Sequence, residues 1–217
     1  RFEPGVNVRT APARYSAQNG AGRDGNSGFN IRGLEDNRVL ITIDGVRVPD
    51  GFSFGPAVFG RSDYVDLDLL SRVEIVRGPA SALYGSDGLA GVVAFTTRDP
   101  SDFLRGDEMF AARVRASYAS ADDSWAEGVS AAASAGAWSF IGAYTRRDGH
   151  EQANMGENEA LNATRTAPNP QDIESNAAMA RVVFEPSNAH RFRVTLDYSD
   201  REVTTEVFTA RSAAPVA

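Results

Sequence analysis

The chain has 217 residues, a formal net charge of −7 and no cysteine, and all 22 of its basic residues are arginine. The absence of cysteine excludes disulfides, thiolate metal sites and thiol nucleophiles. The acidic balance, without a basic stripe, argues against a nucleic-acid partner. A hydrophobic content of 42% predicts a folded chain rather than a disordered one.

The sequence contains no run of about 18 apolar residues, so we expect no transmembrane helix. A membrane-spanning β-strand needs only about 9–11 residues, and half of them face inward. No signal peptide is visible, the chain opens abruptly at Arg1, and it stops in a low-complexity Ala-Ala-Pro-Val-Ala stretch. We therefore expect a piece of a larger protein.

The clearest secondary-structure signal in the first half lies at residues 39–48. The apolar run Val39–Ile43 is followed by Asp44-Gly45, and alternation resumes in Val46–Val48. Asp-Gly suits a type I′ turn, which needs positive φ at both central positions. The pattern predicts a β-hairpin.

Further short elements follow in the same half. Val73–Val76 reads as a strand, and Pro79 suits the first turn of a short helix over residues 80–84. Gly88 and Gly91 frame a tight turn into a strand at 92–97. These elements predict a small mixed α/β globule: a mixed sheet with short helices.

Two loops of this half are candidates for ligand contact. Residues 16–28 are rich in Gly, Asn and Ser and include Asn19 and Asn26, and residues 49–60 carry three phenylalanines among glycines: Phe52, Phe54 and Phe59. The three rings either pack into the core or form an aromatic contact surface for a flat or apolar ligand.

The second half alternates with period two over runs of ten or more residues, which is the β signal. Apolar residues share one face and arginine, serine and threonine the other, in four runs: 110–118, 138–145, 178–184 and 191–198. These runs are about twice the usual strand length. Aromatic residues cluster toward the strand ends, as in the interfacial girdle of a membrane barrel.

The predicted connections alternate in length: 120–123, 135–137 and 186–189 are short and 149–171 is long. Outer-membrane barrels have short periplasmic turns and longer extracellular loops, so we place the long connection outside. About five strands cannot close a barrel, and an open lipid-facing edge is not tolerated, so later strands must be missing. A soluble β-sandwich is the alternative.

Five motifs together resemble the plug domain of TonB-dependent outer-membrane receptors, over about residues 1–102. They are Asn30-Ile31-Arg32-Gly33, the hairpin at 39–47, Arg72–Pro79, Ala82-Leu83-Tyr84-Gly85 and Gly88–Val93. The resemblance implies a plug over residues 1–106, truncated at its N-terminus. It also implies the first five or so strands of an antiparallel transmembrane β-barrel over 107–217, truncated at their C-terminal side.

The run Asp63–Leu70, directly before the Arg-Gly-Pro strand, most resembles the heme/hemoglobin receptor branch of that family. The resemblance implies a receptor for active transport in the outer membrane of a Gram-negative bacterium, with heme or hemoprotein iron as cargo. A ferric siderophore or another scarce nutrient is the nearest alternative cargo. A soluble β-rich binding module is a remote one.

The family mechanism implies several partners. The plug occludes a barrel of about 22 strands, and TonB, energised through ExbB and ExbD, pulls on the plug to open a path. Ligand binds the plug loops and the extracellular loops, and lipid surrounds the barrel. We expect no catalysis, because the sequence has no nucleophile elbow and no HExxH motif, and no intrinsic cofactor.

Two plug arginines are implied as anchors by the same resemblance. Arg32 and Arg77 would face barrel carboxylates, a role that suits the rigid guanidinium fork. Local pairing with Glu35 or Glu74 is the alternative. Calcium binding is not expected, because Asp66 and Asp68 lack the glycine and the closing glutamate of a calcium loop.

Heme receptors commonly supply histidine axial ligands, yet the plug region here has none. His150, at the start of the predicted outer loop, and Tyr64 are the candidate heme contacts. A loop histidine is more commonly solvated than ligating. We expect His190, after a predicted periplasmic turn, to be structural.

Overall fold

The computed structural model describes residues 4–9, 28–34, 36–54, 57–59, 65–79 and 88–211. Three sequence predictions fall outside these residues: the short helix at 80–84, the loop residues Asn19 and Asn26, and Tyr64. The described chain forms an N-terminal globule, up to residue 104, and a long antiparallel sheet.

The globule is built on a four-stranded mixed sheet with the order β4-β3-β8-β7, in which β3 and β8 are parallel. Two two-stranded sheets, β1-β2 and β5-β6, accompany it. The strands are β1 Val6–Arg9, β2 Gly28–Ile31, β3 Val39–Ile43, β4 Val46–Arg47, β5 Phe52–Phe54, β6 Ala57–Phe59, β7 Leu70–Arg77 and β8 Gly91–Thr97.

The helices described are 3-10 turns: Asp36–Arg38, Leu67–Leu69, Pro100–Asp102 and Phe208–Ala210. Each is three residues long, as is usual for this poorly bonded geometry. Within the described part of the chain no helix has the length and apolar character needed to cross a membrane.

The predicted hairpin is confirmed. Thr42 pairs with Arg47 and Ile43 with Val46, so the turn consists of Asp44 and Gly45. Both turn residues have positive φ, 49° and 82°, as a type I′ turn requires. Asp44 is one of the few residue types that tolerate this conformation.

The core of the globule explains the apolar runs of the sequence. Val92 and Val93 of β8 are both fully buried, although they point to opposite faces. One packs with Leu40, and the other joins the main core with Ile31 and Val39. A central strand covered on both faces loses the alternation of a half-exposed strand, hence the continuous run at 92–95.

The long sheet contains five antiparallel strands in chain order, β13-β12-β11-β10-β9. Its strands are β9 Phe110–Ala119, β10 Ser124–Ala135, β11 Trp138–His150, β12 Gln171–Ser187 and β13 His190–Thr205. The predicted strands are confirmed, and the connection at 151–170 is the long one. β12 and β13 continue further than predicted, so only Asn188 and Ala189 separate them.

One side of the long sheet, here called the outer face, is apolar and exposed. Val114 is 81% and Leu196 is 70% exposed. A soluble sandwich would bury such a face under a second sheet. The large side chains of the outer face are Phe110, Val114, Tyr118, Trp125, Val129, Trp138, Phe140, Tyr144, Val182, Phe184, Phe192, Val194, Leu196 and Tyr198.

The opposite side, here called the inner face, packs against the globule. Ile141, Ala177 and Met179 are buried there with Leu69 and Phe103 of the globule. Small residues on β10 and β11 let the Phe103 ring approach the sheet closely. The inner face therefore holds the globule by apolar packing as well as by the charges described below.

We expect Gly91→Ala to destabilise the globule strongly. A Cβ at Gly91 would lie 2.1 Å from the carbonyl oxygen of Val76, and the residue has a φ of +152°. Neighbouring backbone cannot yield, so the free energy of unfolding should fall by about 2 kcal/mol or more. The midpoint of heat-induced protease sensitivity of the globule, in the full-length protein, measures the effect.

Gly142→Ala is the matched control for this substitution. Gly142 also lies in a strand, but its added Cβ would meet nothing within 4 Å. The change should therefore stay within about 0.5 kcal/mol. Equal effects of the two variants would contradict the steric argument.

Candidate functional site: aspartates of the globule on arginines of the sheet

The globule and the inner face meet through a row of ion pairs. The globule contributes Asp44, Asp66, Asp68 and Asp99, and the inner face contributes Arg115, Arg147, Arg181 and Arg191. Every pair joins residues far apart in sequence, so the pairs fix the position of the globule on the sheet. We call this set the aspartate seat.

The strongest part of the seat by geometry is the fork between Arg147 and Asp66. Arg147 Nε lies 2.7 Å from Asp66 Oδ2, and Nη2 lies 3.1 Å from Oδ1. The same Nη2 also donates to Asp68 Oδ2 at 2.6 Å. Such bidentate charge-assisted contacts are roughly twice as strong as neutral hydrogen bonds, and they fix direction.

Asp68 is shared by three arginines. Its carboxylate accepts from Arg147 and from Arg115, and its carbonyl oxygen accepts from Arg98 Nε at 2.9 Å. Two of these arginines belong to the sheet and one to the globule. Asp68 thus ties the end of β8 and the middle of the long sheet to the same short turn.

Local backbone structure presents the two carboxylates together. Asp66 caps the 3-10 turn Leu67–Leu69, and its Oδ1 accepts from the backbone N–H of Asp68 at 2.7 Å. Aspartate is a favoured cap residue because its short side chain reaches this N–H. The turn buries Leu69 and directs both carboxylates at the sheet.

A second contact lies deeper, around the fully buried Arg181. Its Nη2 lies 2.5 Å from Asp44 Oδ2, and its Nη1 donates to the carbonyl oxygen of Arg98 at 2.7 Å. Nε donates to Thr195 Oγ1 at 2.9 Å, and the Thr97 hydroxyl completes the set. A buried guanidinium needs such complete pairing, because an unpaired buried charge is costly.

Asp44 serves both the hairpin turn and this contact. Its carboxylate accepts from the backbone N–H of Thr97 at 3.0 Å and from the Thr97 hydroxyl at 2.5 Å. These bonds join the β3-β4 turn to the end of β8, and Oδ2, which accepts from the Thr97 hydroxyl, also accepts from Arg181 Nη2. Asp44, whose residue type suits the positive φ of the turn, is thereby also the ion-pair partner of the buried Arg181.

The third contact is more exposed. Arg191 Nη2 lies 2.9 Å from both carboxylate oxygens of Asp99, which also caps the 3-10 turn Pro100–Asp102. The Arg191 side chain is 48% exposed, so water and salt screen this pair. It adds direction more than stability.

Phe103 lies between the charged contacts and is itself in contact with two arginines. The guanidinium of Arg113 lies 5.0 Å from its ring centroid and that of Arg98 lies 5.6 Å away. Both are within the range of cation–π attraction. Phe103 therefore joins the buried apolar cluster to the arginines around it.

The carboxyl groups of Asp44 and Asp66 are held in the ionised form. Burial raises the pKa of Asp66, but the hydrogen bonds from Arg147 and the Asp68 N–H and the charge of Arg147 outweigh it, so the pKa lies below its usual value. For Asp44, burial likewise raises the pKa, and the bonds from Thr97 and the charge of Arg181 lower it further than burial raises it. The seat is therefore intact at neutral pH.

The predicted anchors Arg32 and Arg77 are both exposed. Arg77 Nη1 donates to the carbonyl oxygen of Pro4 at 2.8 Å. The backbone N–H of Arg32, whose φ is 53°, donates to Gly5 at 2.9 Å. Both residues thus organise the N-terminal turn, and their contact with barrel carboxylates stays a prediction.

The predicted aromatic loop forms the β5-β6 hairpin, in which Phe52 pairs with Phe59 and Phe54 with Ala57. Asn37 anchors its base, because its side chain donates to and accepts from the backbone of Gly51 at 2.8 and 2.9 Å. The direction of the three rings lies outside the described structure, so their ligand contact stays a prediction.

His150 ends β11 on the outer face, two positions beyond Asp148. Its side chain is 54% exposed, and its Nδ1 lies 3.3 Å from Asp172 Oδ1. Its backbone N–H donates to the carbonyl oxygen of Asp122, in the neighbouring turn. Its heme contact stays a prediction, as does that of Tyr64. Among the described residues no cluster of three or more His, Cys, Asp or Glu could hold a metal ion.

Sequence reasoning missed the aspartate seat. It used Asp44 only as a turn residue and Asp66 and Asp68 only as a branch signature and a rejected calcium loop. The available signal was on the other partner: arginines at alternate positions of β9 and β13 point away from the apolar face. Inward cations in a long strand require an acidic counterpart, and the globule holds it.

We expect Arg181→Met to loosen the globule from the sheet. The substitution leaves the partly buried Asp44 without its cation, which costs about 3–5 kcal/mol for a buried pair. Adding Asp44→Asn removes the stranded charge, and asparagine tolerates the positive φ, so the double variant should lose less than the sum of the two single losses. Protease release of the globule from the full-length protein measures the loss.

Arg191→Gln is the control for the buried pair, because its partner contact is solvent-exposed. It should cost less than about 1 kcal/mol. Strictly additive losses for the Arg181 and Asp44 variants, or an Arg191 loss as large as that of Arg181, would contradict the proposed burial effect.

The seat should also be acid-sensitive. Both aspartates have a folded pKa below the unfolded value of about 3.9, so their stabilisation is present above about pH 4 and is lost as pH falls through the folded values. Protease sensitivity of the globule should rise steeply below about pH 4. Asp66→Asn should flatten this acid limb, and an unchanged limb in that variant would refute the assignment.

Comparison with known proteins identifies the first part of the chain. Residues 1–92 match the family model of the TonB-dependent Receptor Plug Domain. The probable hemoglobin and hemoglobin-haptoglobin-binding protein 4 of Haemophilus influenzae is 30% identical over 212 residues, covering 91% of this chain and 20% of that protein. The heme/hemopexin utilization protein C of Haemophilus influenzae is 40% identical over 94 residues, covering 43% and 13%.

Among solved structures, the apoprotein form of the FrpB iron transporter from Neisseria meningitidis (F5-1 variant) is similar in fold. Its TM-score is 0.70 at 19% identity, and the match covers 92% of this chain and 28% of that one. The chain spans about a fifth of the length of the curated relatives that match most of it. On its plug motifs, its family model and its fold, the chain belongs to the TonB-dependent receptor family.

Proposed function

We propose that the whole protein is a receptor for active import of heme or hemoprotein iron. The family places it in the outer membrane of a Gram-negative bacterium. The observation that carries the proposal is a plug globule seated, through ion pairs, on the inner face of a long sheet whose other face is apolar. Relatives named for binding hemoglobin and for heme utilization supply the cargo.

We infer that β9–β13 are the first strands of a transmembrane β-barrel, with the plug over residues 1–106 and the wall over 107–217. The supporting features are the strand lengths of 10 to 17 residues and the outer apolar face. Aromatic side chains lie toward both ends of that face, with Phe110 and Trp138 at one end and Tyr118 and Trp125 at the other. This is the girdle pattern of outer-membrane barrels.

The long connection at 151–170 is the candidate extracellular loop. It shares one end of the sheet with the turn at 120–123, and the backbone N–H of Ala153 donates to Ala121 at 2.8 Å. Arg165, 7% exposed, fixes it internally by donating to the carbonyl oxygens of Glu159 and Pro168. A loop ordered in this way presents a defined surface to cargo.

In the family mechanism, TonB, energised through ExbB and ExbD, pulls on the plug. The ion pairs of the aspartate seat are the contacts that this pull must break. Arg147, Arg115 and Arg181 hold the plug through charged contacts. Because the buried contact at Arg181 is the costliest to break, we infer that movement begins at the exposed Arg191 side. This is the work of a transporter rather than of an enzyme.

The cargo proposal is tested by titrating hemin into the purified full-length receptor. We expect a Soret shift and saturable binding, and growth on hemin as sole iron source that requires TonB. His150→Ala should weaken the Soret shift if its imidazole contacts heme, and His190→Ala is the control at the opposite end of the sheet.

The outcomes separate the two cargo classes. Absence of a Soret shift together with tight binding of a ferric siderophore would overturn the heme assignment and keep the transporter. Growth on hemin without TonB would contradict the energised mechanism. An unchanged spectrum in His150→Ala, with heme still bound, would remove His150 as a contact.

A further inference from the structure

The arginines of the inner face form a regular series along the sheet. Five consecutive inward positions of β11, from 147 to 139, define five rows of side chains across the sheet. Each row contains at least one arginine on one of its paired strands. In order from position 147 to 139, the rows hold Arg147 with Arg201, then Arg115, Arg113, Arg181 and Arg193. We call this series the arginine ladder.

The ladder is strongly unbalanced in charge. Its five rows hold six arginines and one acidic residue, Asp197, which lies in the row of Arg113. Rows are two residues apart, about 7 Å along the strands, and the arginines of consecutive rows lie on different strands, up to three strands or about 14 Å apart across the sheet for Arg113 and Arg181. Positive charge therefore extends from near the predicted outer end of the sheet to near the inner end.

The plug covers part of the ladder and leaves part of it open. Arg115, Arg147 and Arg181 are paired with plug aspartates. Arg113 faces the Phe103 ring, and neither Arg113 nor Arg193 has an ion pair or hydrogen bond with any described residue. Arg113 meets the plug through the Phe103 ring and Arg193 acts on Asp44 through its charge alone, so neither cation has a carboxylate of its own among the described residues.

Arg193 faces a cavity of about 490 Å³ between the plug and the wall. Four arginines line it, Arg72, Arg181, Arg191 and Arg193, against two aspartates, Asp99 and Asp102. With Asp44, the partner of the fully buried Arg181, included, four positive and three negative charges leave a net charge of about +1. The volume lies within the range of small-molecule sites.

We propose that the arginine ladder is the transit surface for a carboxylate-bearing cargo, with the plug aspartates standing in for its carboxylates until the plug moves. This inference rests on the proposed function and names the chemical class that the route accepts. Displacing Asp66, Asp68 or Asp44 exposes guanidinium groups already oriented for bidentate carboxylate contact. Because carboxylate replaces carboxylate, no arginine is left unpaired in a dehydrated channel.

Repeated, similar sites also let the cargo leave. A single tight site would trap an anion, whereas a series of comparable sites allows it to pass from one to the next. The cavity at Arg193 is then the last binding site for the cargo before the predicted periplasmic end of the sheet. An iron porphyrin with two carboxylates fits this chemistry, as does a carboxylate siderophore.

The test uses the full-length receptor in cells with active TonB and two probes, hemin and its dimethyl ester, which lacks the free carboxylates. Import rate and equilibrium surface binding are measured for wild type, Arg113→Gln, Arg193→Gln and the control Arg146→Gln. Arg146 lies on the outer face, paired with Asp148. Neither test residue forms an ion pair or hydrogen bond with a described plug aspartate, but Arg113 contacts Phe103 and the charge of Arg193 acts on Asp44, so protease resistance of the plug is measured for each variant alongside import.

We expect wild type to import hemin about tenfold faster than the ester, the factor for one lost charged contact. Each test variant should lose a similar factor in hemin import, with surface binding unchanged, and the control should lose none. Equal import of both probes, or unchanged import in Arg113→Gln and Arg193→Gln, would overturn the ladder while leaving the receptor function intact. Failure of wild type to import either probe would refute the proposed function and this inference with it.

Discussion

The arrangement of the molecule depends on compensating a guanidinium that has no access to water. Arg181 is 0% exposed, and its position satisfies the charge only because Asp44, Thr97 and a main-chain carbonyl of the plug arrive at the same point. The plug cannot shift by one residue on the sheet without stranding this cation. The desolvation penalty thus sets the relative position of the two parts.

The two faces of the long sheet differ in charge and in what they contact. The outer face is apolar and ends in aromatic side chains, whereas the inner face carries arginines that the plug partly neutralises. Alternation of side chains along a strand makes both surfaces from one sequence. The exposed apolar surface and the plug contact are therefore encoded at neighbouring positions.

The plug is held strongly at neutral pH yet by contacts that can be exchanged. Ion pairs with bidentate geometry are directional and can be taken over by another carboxylate, whereas the apolar packing of Phe103 and Leu69 cannot. The aspartate seat therefore combines exchangeable charged contacts with apolar packing that a carboxylate does not replace.

The sequence by itself determined the local elements: Asp44-Gly45 specified the hairpin turn, and period-two alternation specified β9 to β13, because turn chemistry and strand periodicity are properties of neighbouring residues. The plug motifs also determined the family. Only the tertiary structure decided that Asp44, Asp66 and Asp68 meet Arg181, Arg147 and Arg115. Those partners are about 50 to 140 residues apart, and no local rule relates their positions.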